Sequence, residues 1–514
     1  MDTPTPLYLT HQIRAIETVA FQREPSYAVM ERAGRAAARW LDGVAPGGGT
    51  LLFVAGPGNN GGDALVAATT LHRAGRAVRV WLLAHPERLP ADASQAWQAA
   101  CAANVPIDML PPPATSATAS TPAYTLPSFP PRMSAVVDGL LGIGLTRPVQ
   151  GDLATVIEHL NRAPVPRFAL DVPSGLQADT GVAQLAIRAD ATLTFIGAKP
   201  GLYTGQGRDW AGTVTVDDLG LAPPDSVGAE VVLNGPACFS HALPARLHAS
   251  HKGSYGSLAI IGGDAGMCGA PLLGARAALR LGAGRVHVGF LADVPPFDAL
   301  HPELMLRAAS QIDRAGMDAV VLGPGMGQGT QAQSWVGLLR DPTPRAARYV
   351  LDADALNLLA QARTPLHLTE QDILTPHPLE AARLLSEDVA TVQADRLAAA
   401  RALSTRYGAV IVLKGSGTVL AAPDGRLAIN PTGNAALATA GTGDVLAGMT
   451  GALLAQGMPA WEAALAAVWL HGAAADRLIA QGASMAGLAA GDLACAARAS
   501  YDELIKLVHG SPGL

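Results

Sequence analysis

Apolar positions in this chain fall into two successive alternations of short β-branched runs with longer amphipathic stretches. In the first, 50–55, 78–83, 135–138, 168–172, 192–196 and 213–216 are brief apolar runs, and 63–74 repeats apolar residues at helical spacing. Runs this short, bounded by glycine, proline and small polar residues, predict strands. Strand followed by helix, repeated, predicts a mostly parallel sheet with helices on both faces. The pattern restarts at 258–261, 285–289, 319–322, 349–352, 373–374 and 409–413. A hairpin pattern follows, 418–421 and 427–429 around Pro423-Asp424-Gly425, with alanine-rich helices at 444–456 and 461–480. Residues 221–249 have prolines and little periodicity, so the chain divides into an α/β domain over 1–220, a linker over 221–246 and a second α/β domain over 247–514. Residues 111–131, rich in Pro, Thr, Ser and Ala, read as a loose surface insertion.

Composition narrows the function. Of 514 residues, 49% are hydrophobic and 15% charged, and the formal net charge is −6. This is a globular composition without the basic surplus that nucleic acid or an anionic membrane would call for. Cys101, Cys238, Cys268 and Cys495 are scattered with no CxxC pair, which predicts free thiols in a reducing compartment, the cytoplasm. There is no signal-peptide pattern at the start and no uncharged apolar run of membrane length. Lysine occurs four times, and Lys199, Lys252 and Lys414 each adjoin glycine or proline in a loop-like motif.

In the first half each motif follows a strand, the edge where ligands of parallel sheets bind. GPGNNGGD (56–63) presents glycine N–H groups before a helix, either as a phosphate or nucleotide cradle or as a tight turn with Asp63 opening the helix. It lacks the GxGxxG spacing of dinucleotide dehydrogenases. Asp138 opens DGLLGIGLTRP, Asp171 opens DVPSG, and TFIGAKPG (194–201) brings Lys199 to the same rim. Asn60, Asp138 and Ser174 offer oxygen atoms of the kind hard cations take, and Asp171 is a candidate acid or base.

These motifs, with LTHQIRAIE and MERAG before them, resemble the NAD(P)H-hydrate epimerase domain over about 7–220. The resemblance implies a Rossmann-like three-layer α/β/α fold. It implies a hydrated-nicotinamide site made by Asn59, Asn60, Gly61, Gly62, Asp63, Gly142, Ile143, Gly144, Leu145, Thr146, Arg147, Pro148 and Asp171. It also implies potassium held by Asn60, Asp138 and Ser174. Ala64 stands where the family usually has glycine, a small change expected to leave activity intact.

The second half holds HKGSYG (251–256), GGDAGMCGA (262–270), GPGMG (323–327), DADALN (352–357), TPHPLE (375–380), VLKGSGT (412–418) and NPTGNAALATAGTGD (430–444). Gly441 and Gly443 would set N–H groups at the mouth of a helix starting at Asp444. Such a helix end stabilises phosphate oxygens, and an aspartate there can take a proton from a hydroxyl attacking phosphorus. Asp is also a favoured N-cap, which leaves a purely structural role open.

VLKGSGT with GTGD resembles ribokinase-like enzymes, and the full set is similar to the ADP-dependent NAD(P)H-hydrate dehydratases over about 247–480. The resemblance implies a ribokinase-like α/β domain in which Ala270, Gly327, His377 and Asp444 meet the hydrated nucleotide. Lys414, Gly415, Ser416, Gly417, Thr418 and Gly443 would meet the adenine nucleotide. Leu379 replaces the usual glycine of TPHPGE, expected to reshape the turn after His377. Both halves in this order resemble the bifunctional NAD(P)H-hydrate repair family. The implied activity is epimerisation of (R)- and (S)-NAD(P)H hydrate by the first domain and dehydration of the (S) form by the second, with ADP as co-substrate, Asp171 and Asp444 as catalytic carboxyls, Mg²⁺ on the phosphates and a homo-oligomeric assembly. The alternative is a ribokinase-like vitamin or sugar kinase fused to a nucleotide-binding domain.

Overall fold

The computed structural model describes residues 3–112, 125–224, 226–343 and 345–510. Most of the 111–131 insertion lies outside the described residues. The chain forms two compact units, one over Pro6–Val231 and the other over Val232–Leu514 together with Met1–Thr5.

The first unit is built on seven parallel strands: β1 (Thr50–Ala55), β2 (Val78–Leu82), β3 (Ile107–Met109), β4 (Met133–Gly139), β5 (Arg167–Leu170), β6 (Ala191–Phe195) and β7 (Thr213–Asp217), in the order β3-β2-β1-β4-β5-β6-β7. β1 is buried on both faces. Leu51 and Phe53 join a core made with the helices Ser26–Val44 and Asn59–Arg73. Leu52 and Val54 join another with Val156 and Ile157 of the helix Asp152–Asn161. Alternate side chains therefore serve two layers, as the three-layer expectation requires. The strand order reverses between β1 and β4, which places the ligand crevice at their carboxyl ends.

The second unit continues with β8 (Val231–Leu233), β9 (Ser257–Gly262), β10 (Arg285–Phe290), β11 (Met305–Ala308), β12 (Ala319–Leu322), β13 (Arg348–Leu351), β14 (Ile373–Leu374), β15 (Val410–Leu413), β16 (Val419–Ala421) and β17 (Leu427–Ile429). Their order is β8-β17-β16-β15-β14-β13-β12-β9-β10-β11. From β15 to β11 the sheet is parallel; β16 and β17 form the expected antiparallel hairpin. The helices Gly269–Arg280, Thr442–Ala455, Ala460–Ala480 and Leu493–His509 share one core with the sheet. Ala460–Ala480 is long and apolar enough to cross a membrane by length and composition, but 61% of its most apolar window is buried inside the protein.

Two sequence expectations need correction. The stretch taken as a linker carries β8, the helical turn Pro236–Phe239 and a 3-10 turn at Ser240–Ala242. The Asn234 side chain donates to Asn430 Oδ1 (3.0 Å) and the Leu465 carbonyl (2.9 Å), so tertiary bonds give this stretch an order that its weak periodicity does not announce. Helix starts also differ. The first glycine loop is shorter than expected, because Asn59 to Gly62 are already the first turn of the helix Asn59–Arg73. Likewise Asp444 is the third residue of the helix Thr442–Ala455, whose N-cap is Gly441.

Candidate active sites

At the crevice of the first unit, β1, β4, β5 and β6 each deliver a chemical group from the carboxyl end. Asp138, in β4, is fully buried. Its carboxylate accepts from the Ser174 hydroxyl (2.6 Å) and from the backbone N–H groups of Ser174 (2.8 Å) and Leu140 (3.1 Å). Burial nevertheless pushes its pKa up to about 6, outweighing those bonds. Asn60 donates to the carbonyls of Leu141 (2.8 Å) and Leu170 (3.0 Å), and its buried Oδ1 has no hydrogen-bond partner. Asp171, just past β5, has φ +65° and accepts from the Lys199 ammonium (2.6 Å). Lys199 is 1% exposed and also donates to Thr194 Oγ1 (2.8 Å) and the Phe195 carbonyl (2.7 Å). A rare lysine is thus spent on fixing a carboxylate at a strained backbone position.

Asn60, Asp171 and Lys199 open into a cavity of about 930 Å³. Asn59, Asn60, Asp63, residues 142–148 and Asp171 line it. Gly61, Gly62, Asp138 and Ser174 are not on its wall. Gly61 lies beneath it, where any Cβ would collide with the Gly56 carbonyl oxygen. Asp63 has its pKa pushed well above the usual carboxylate range by burial first, then by Asp171 and Glu17. Ala64 is fully buried and occupies the space left by the bare Cα of Gly139, so its methyl group is accommodated. Glu17 and Arg14, from the helix Thr10–Phe21, also face the cavity and were missed by the motif reading. Their only signal in sequence is the i, i+3 spacing within LTHQIRAIE.

The second unit gathers its motifs in the same way. Asp352 follows β13 and is 2% exposed. It accepts from the Lys414 ammonium (2.6 Å), past β15, and from the Thr375 hydroxyl (2.7 Å), past β14. A Cβ on Gly443 would sit 3.5 Å from Lys414 Nζ, so the ion pair lies against the GTGD turn. Asp444 has no hydrogen-bond or ion-pair partner among the described residues. Burial, then the Asp352 charge, raise its pKa to about 6, while Lys414 works the other way. Asp352 and Thr375 belong to motifs visible in sequence, but nothing in those motifs assigned them a role.

His377 caps the helix Pro378–Leu385. Its Nδ1 accepts from the N–H groups of Leu379 (3.1 Å) and Glu380 (3.3 Å), and Glu380 Oε2 accepts from its own N–H (2.8 Å). Nε2 then bears the proton and lies 3.3 Å from Glu380 Oε1. Burial and then Lys414 lower the His377 pKa, which favours the neutral ring. The neighbouring Glu380 is raised to about 7, chiefly by burial. Leu379 does not disturb this turn: it sits in the first helical turn with its side chain 44% exposed. Gly327 donates to Asp354 Oδ2 (2.8 Å), and Ala270 opens the helix Gly269–Arg280 beside Gly325. Gly415 packs on the buried Arg396 guanidinium, which donates to the carbonyls of Leu413 (3.0 Å) and Lys414 (3.2 Å) and so supports the loop from below. Ser416 is exposed, Gly417 is buried, and Thr418 Oγ1 donates to the Gly415 carbonyl (3.1 Å).

Comparison with known proteins follows this division. A family profile described as YjeF-related protein N-terminus matches residues 26–201, and one described as NAD(P)H-hydrate dehydratase matches 258–498. A bifunctional NAD(P)H-hydrate repair enzyme of Coxiella burnetii is 38% identical over 500 residues, covering 95% of this chain and 98% of its own. The Escherichia coli protein of the same description is 40% identical over 468 residues, 88% of this chain and 86% of its own. An ADP-dependent (S)-NAD(P)H-hydrate dehydratase of Neisseria meningitidis is 50% identical over 267 residues, 51% of this chain and 90% of its own.

Proposed function

Because the chain belongs to the bifunctional NAD(P)H-hydrate repair enzyme family, we propose that its two crevices act in series on one damaged cofactor. Hydration leaves a hydroxyl on C6 of the nicotinamide ring in either configuration. The Rossmann-like domain interconverts the (R) and (S) forms, and the ribokinase-like domain returns the (S) form to NADH or NADPH while ADP becomes AMP and phosphate.

The observation that carries the dehydratase reading is the unpartnered Asp444 carboxylate in a helix first turn beside the Lys414–Asp352 pair. Hydroxide is a poor leaving group, and phosphate is a good one. Asp444 takes the proton from the C6 hydroxyl, and that oxygen attacks the β-phosphorus of ADP as AMP leaves. The ring-nitrogen lone pair then expels phosphate, and loss of a C5 proton restores the C5–C6 double bond. The N–H groups of Thr442 and Gly443, with the Lys414 ammonium, face the charge that grows on the transferred phosphoryl group. His377 Nε2 and the Glu380 carboxylate, 3.3 Å apart, together form a polar edge for the substrate. Among the described residues no cluster of three or more His, Cys, Asp or Glu forms a cation cage. Mg²⁺ on the nucleotide phosphates would neutralise their charge.

In the epimerase domain Asp171 serves as a proton-transfer group, held in place by Lys199. Potassium fits between Asn60, Asp138 and Ser174, since Asn60 Oδ1 is a buried oxygen with no other partner. Bound there, it supplies a fixed positive charge near the cavity floor. The four cysteines are free, in keeping with a reducing compartment such as the cytoplasm.

Mixing chemically hydrated NADH with the protein, ADP and Mg²⁺ should restore NADH absorbance, with AMP and phosphate formed in equal amounts. A stable phosphorylated product without AMP would instead identify a kinase.

A further inference from the structure

Inversion at a carbon bearing a hydroxyl and a ring nitrogen requires one bond to that carbon to break and re-form, and opening the C6–N1 bond moves protons at two atoms, which two proton-transfer groups can serve. Asp171 is one. Glu17 reaches the same cavity from a different element, the helix Thr10–Phe21, whose Ile13, Glu17 and Phe21 point inward at four-residue spacing. Glu17 is half-buried, yet it has no hydrogen bond or ion pair among the described residues. An unpaired carboxyl on a cavity wall is costly to the fold, which favours a role toward a ligand. Four charged or titratable groups face it: Arg14 from its own helix, Asp63 from the helix Asn59–Arg73, Asp171 after β5 and Lys199 after β6.

We propose that Glu17 is the second catalytic residue of the epimerase, the acid that works opposite Asp171; this rests on the epimerase reading given above. Asp171 accepts the proton of the C6 hydroxyl. The freed O–H electron pair forms the C6=O double bond, the C6–N1 pair passes to the ring nitrogen, and Glu17 donates its proton to that nitrogen. Rotation about C5–C6 turns the other face of the aldehyde toward N1. Reclosure runs in reverse: N1 attacks C6, its proton returns to Glu17, and Asp171 returns its proton to the oxygen. Both carboxyls end as they began, and no further reactant is needed. The environments of the two groups suit these roles. Burial first and the Asp171 charge second push the Glu17 pKa upward, toward the acid form, whereas Asp171 is ion-paired to Lys199.

The test uses the full chain, with (S)-hydrate dehydration as an internal control. In Glu17→Gln, (R)-to-(S) conversion above the uncatalysed rate should fall about 10²- to 10⁴-fold in kcat with little change in KM. Residual activity should lose the alkaline limb of its pH profile, dehydration of the (S) form should be unchanged, and Glu17→Asp should recover part of the rate. Near-normal kcat in Glu17→Gln, or a loss confined to KM, overturns the assignment. If Asp171→Asn also leaves epimerisation intact, the epimerase reading of this cavity fails with it. If Asp171→Asn abolishes epimerisation while Glu17→Gln does not, only the role of Glu17 falls.

Discussion

Asp138 and Asp444 are both carboxyls that burial pushes to about 6, yet their surroundings separate their uses. The Asp138 carboxylate accepts from three donors and is a fixed part of the frame; the Asp444 carboxylate has none among the described residues and is free to take a proton. Asp444→Asn should lower (S)-hydrate dehydration by about 10²- to 10⁴-fold, measured as NADH recovery. It should also stabilise the protein at neutral pH. The folded pKa lies above the unfolded value, so ionisation disfavours the fold as pH rises through about 6. Removing the charge should give on the order of 1–2 kcal/mol in denaturant unfolding, after discounting for the solvent access of this half-buried group. The same value sets the pH profile: dehydratase kcat should decline as pH falls through about 6, because the base becomes protonated. Asp352→Asn removes a charge that raises the Asp444 pKa and frees Lys414, so this acidic limb should move to lower pH. An unmoved limb would mean that another group is the base.

At the scale of elements, the site depends on helices brought unusually close. Gly274 and Gly448 face each other where the helix Gly269–Arg280 crosses Thr442–Ala455, and a Cβ on Gly448 would strike the Gly274 backbone. This contact fixes the helix whose first turn carries Asp444. Gly448→Ala should cost about 1–3 kcal/mol by overpacking and reduce dehydratase turnover, whereas epimerisation should persist; a combined melting and activity assay would detect both. Most strands were legible because they are buried on both faces and read as unbroken apolar runs. Ile107–Met109 and Met305–Ala308 were not. They are short edge strands with partly exposed side chains, so burial imposes no apolar pattern on them. The helices start at Asn59 and Thr442; the sequence pattern predicts later starts because Asn and Gly are poor helix formers. There, close packing overrides propensity, as the collision expected at Gly61 illustrates.

For the whole molecule, the proposed division of labour predicts that the two chemistries can be lost one at a time. Asp171→Ala should leave dehydration of the (S) form intact while the (R) form persists after ADP is supplied in excess, as chromatography of the two epimers would reveal. Equal loss of both would contradict this division of labour. The alternation of strand and helix, the glycine-rich strand ends and the acids placed after them were legible in the linear order of residues. These features follow from hydrophobic burial and local turns, both of which act over short stretches of chain, whereas strand order and register join segments far apart in sequence. Partnerships were not legible: Lys199 with Asp171, Lys414 with Asp352 across 62 positions, Arg396 beneath Gly415, and Glu17 left without a partner. They depend on which strand ends become neighbours and which carboxyls lose water together. Desolvation and charge pairing act through space, so only the folded chain decides them.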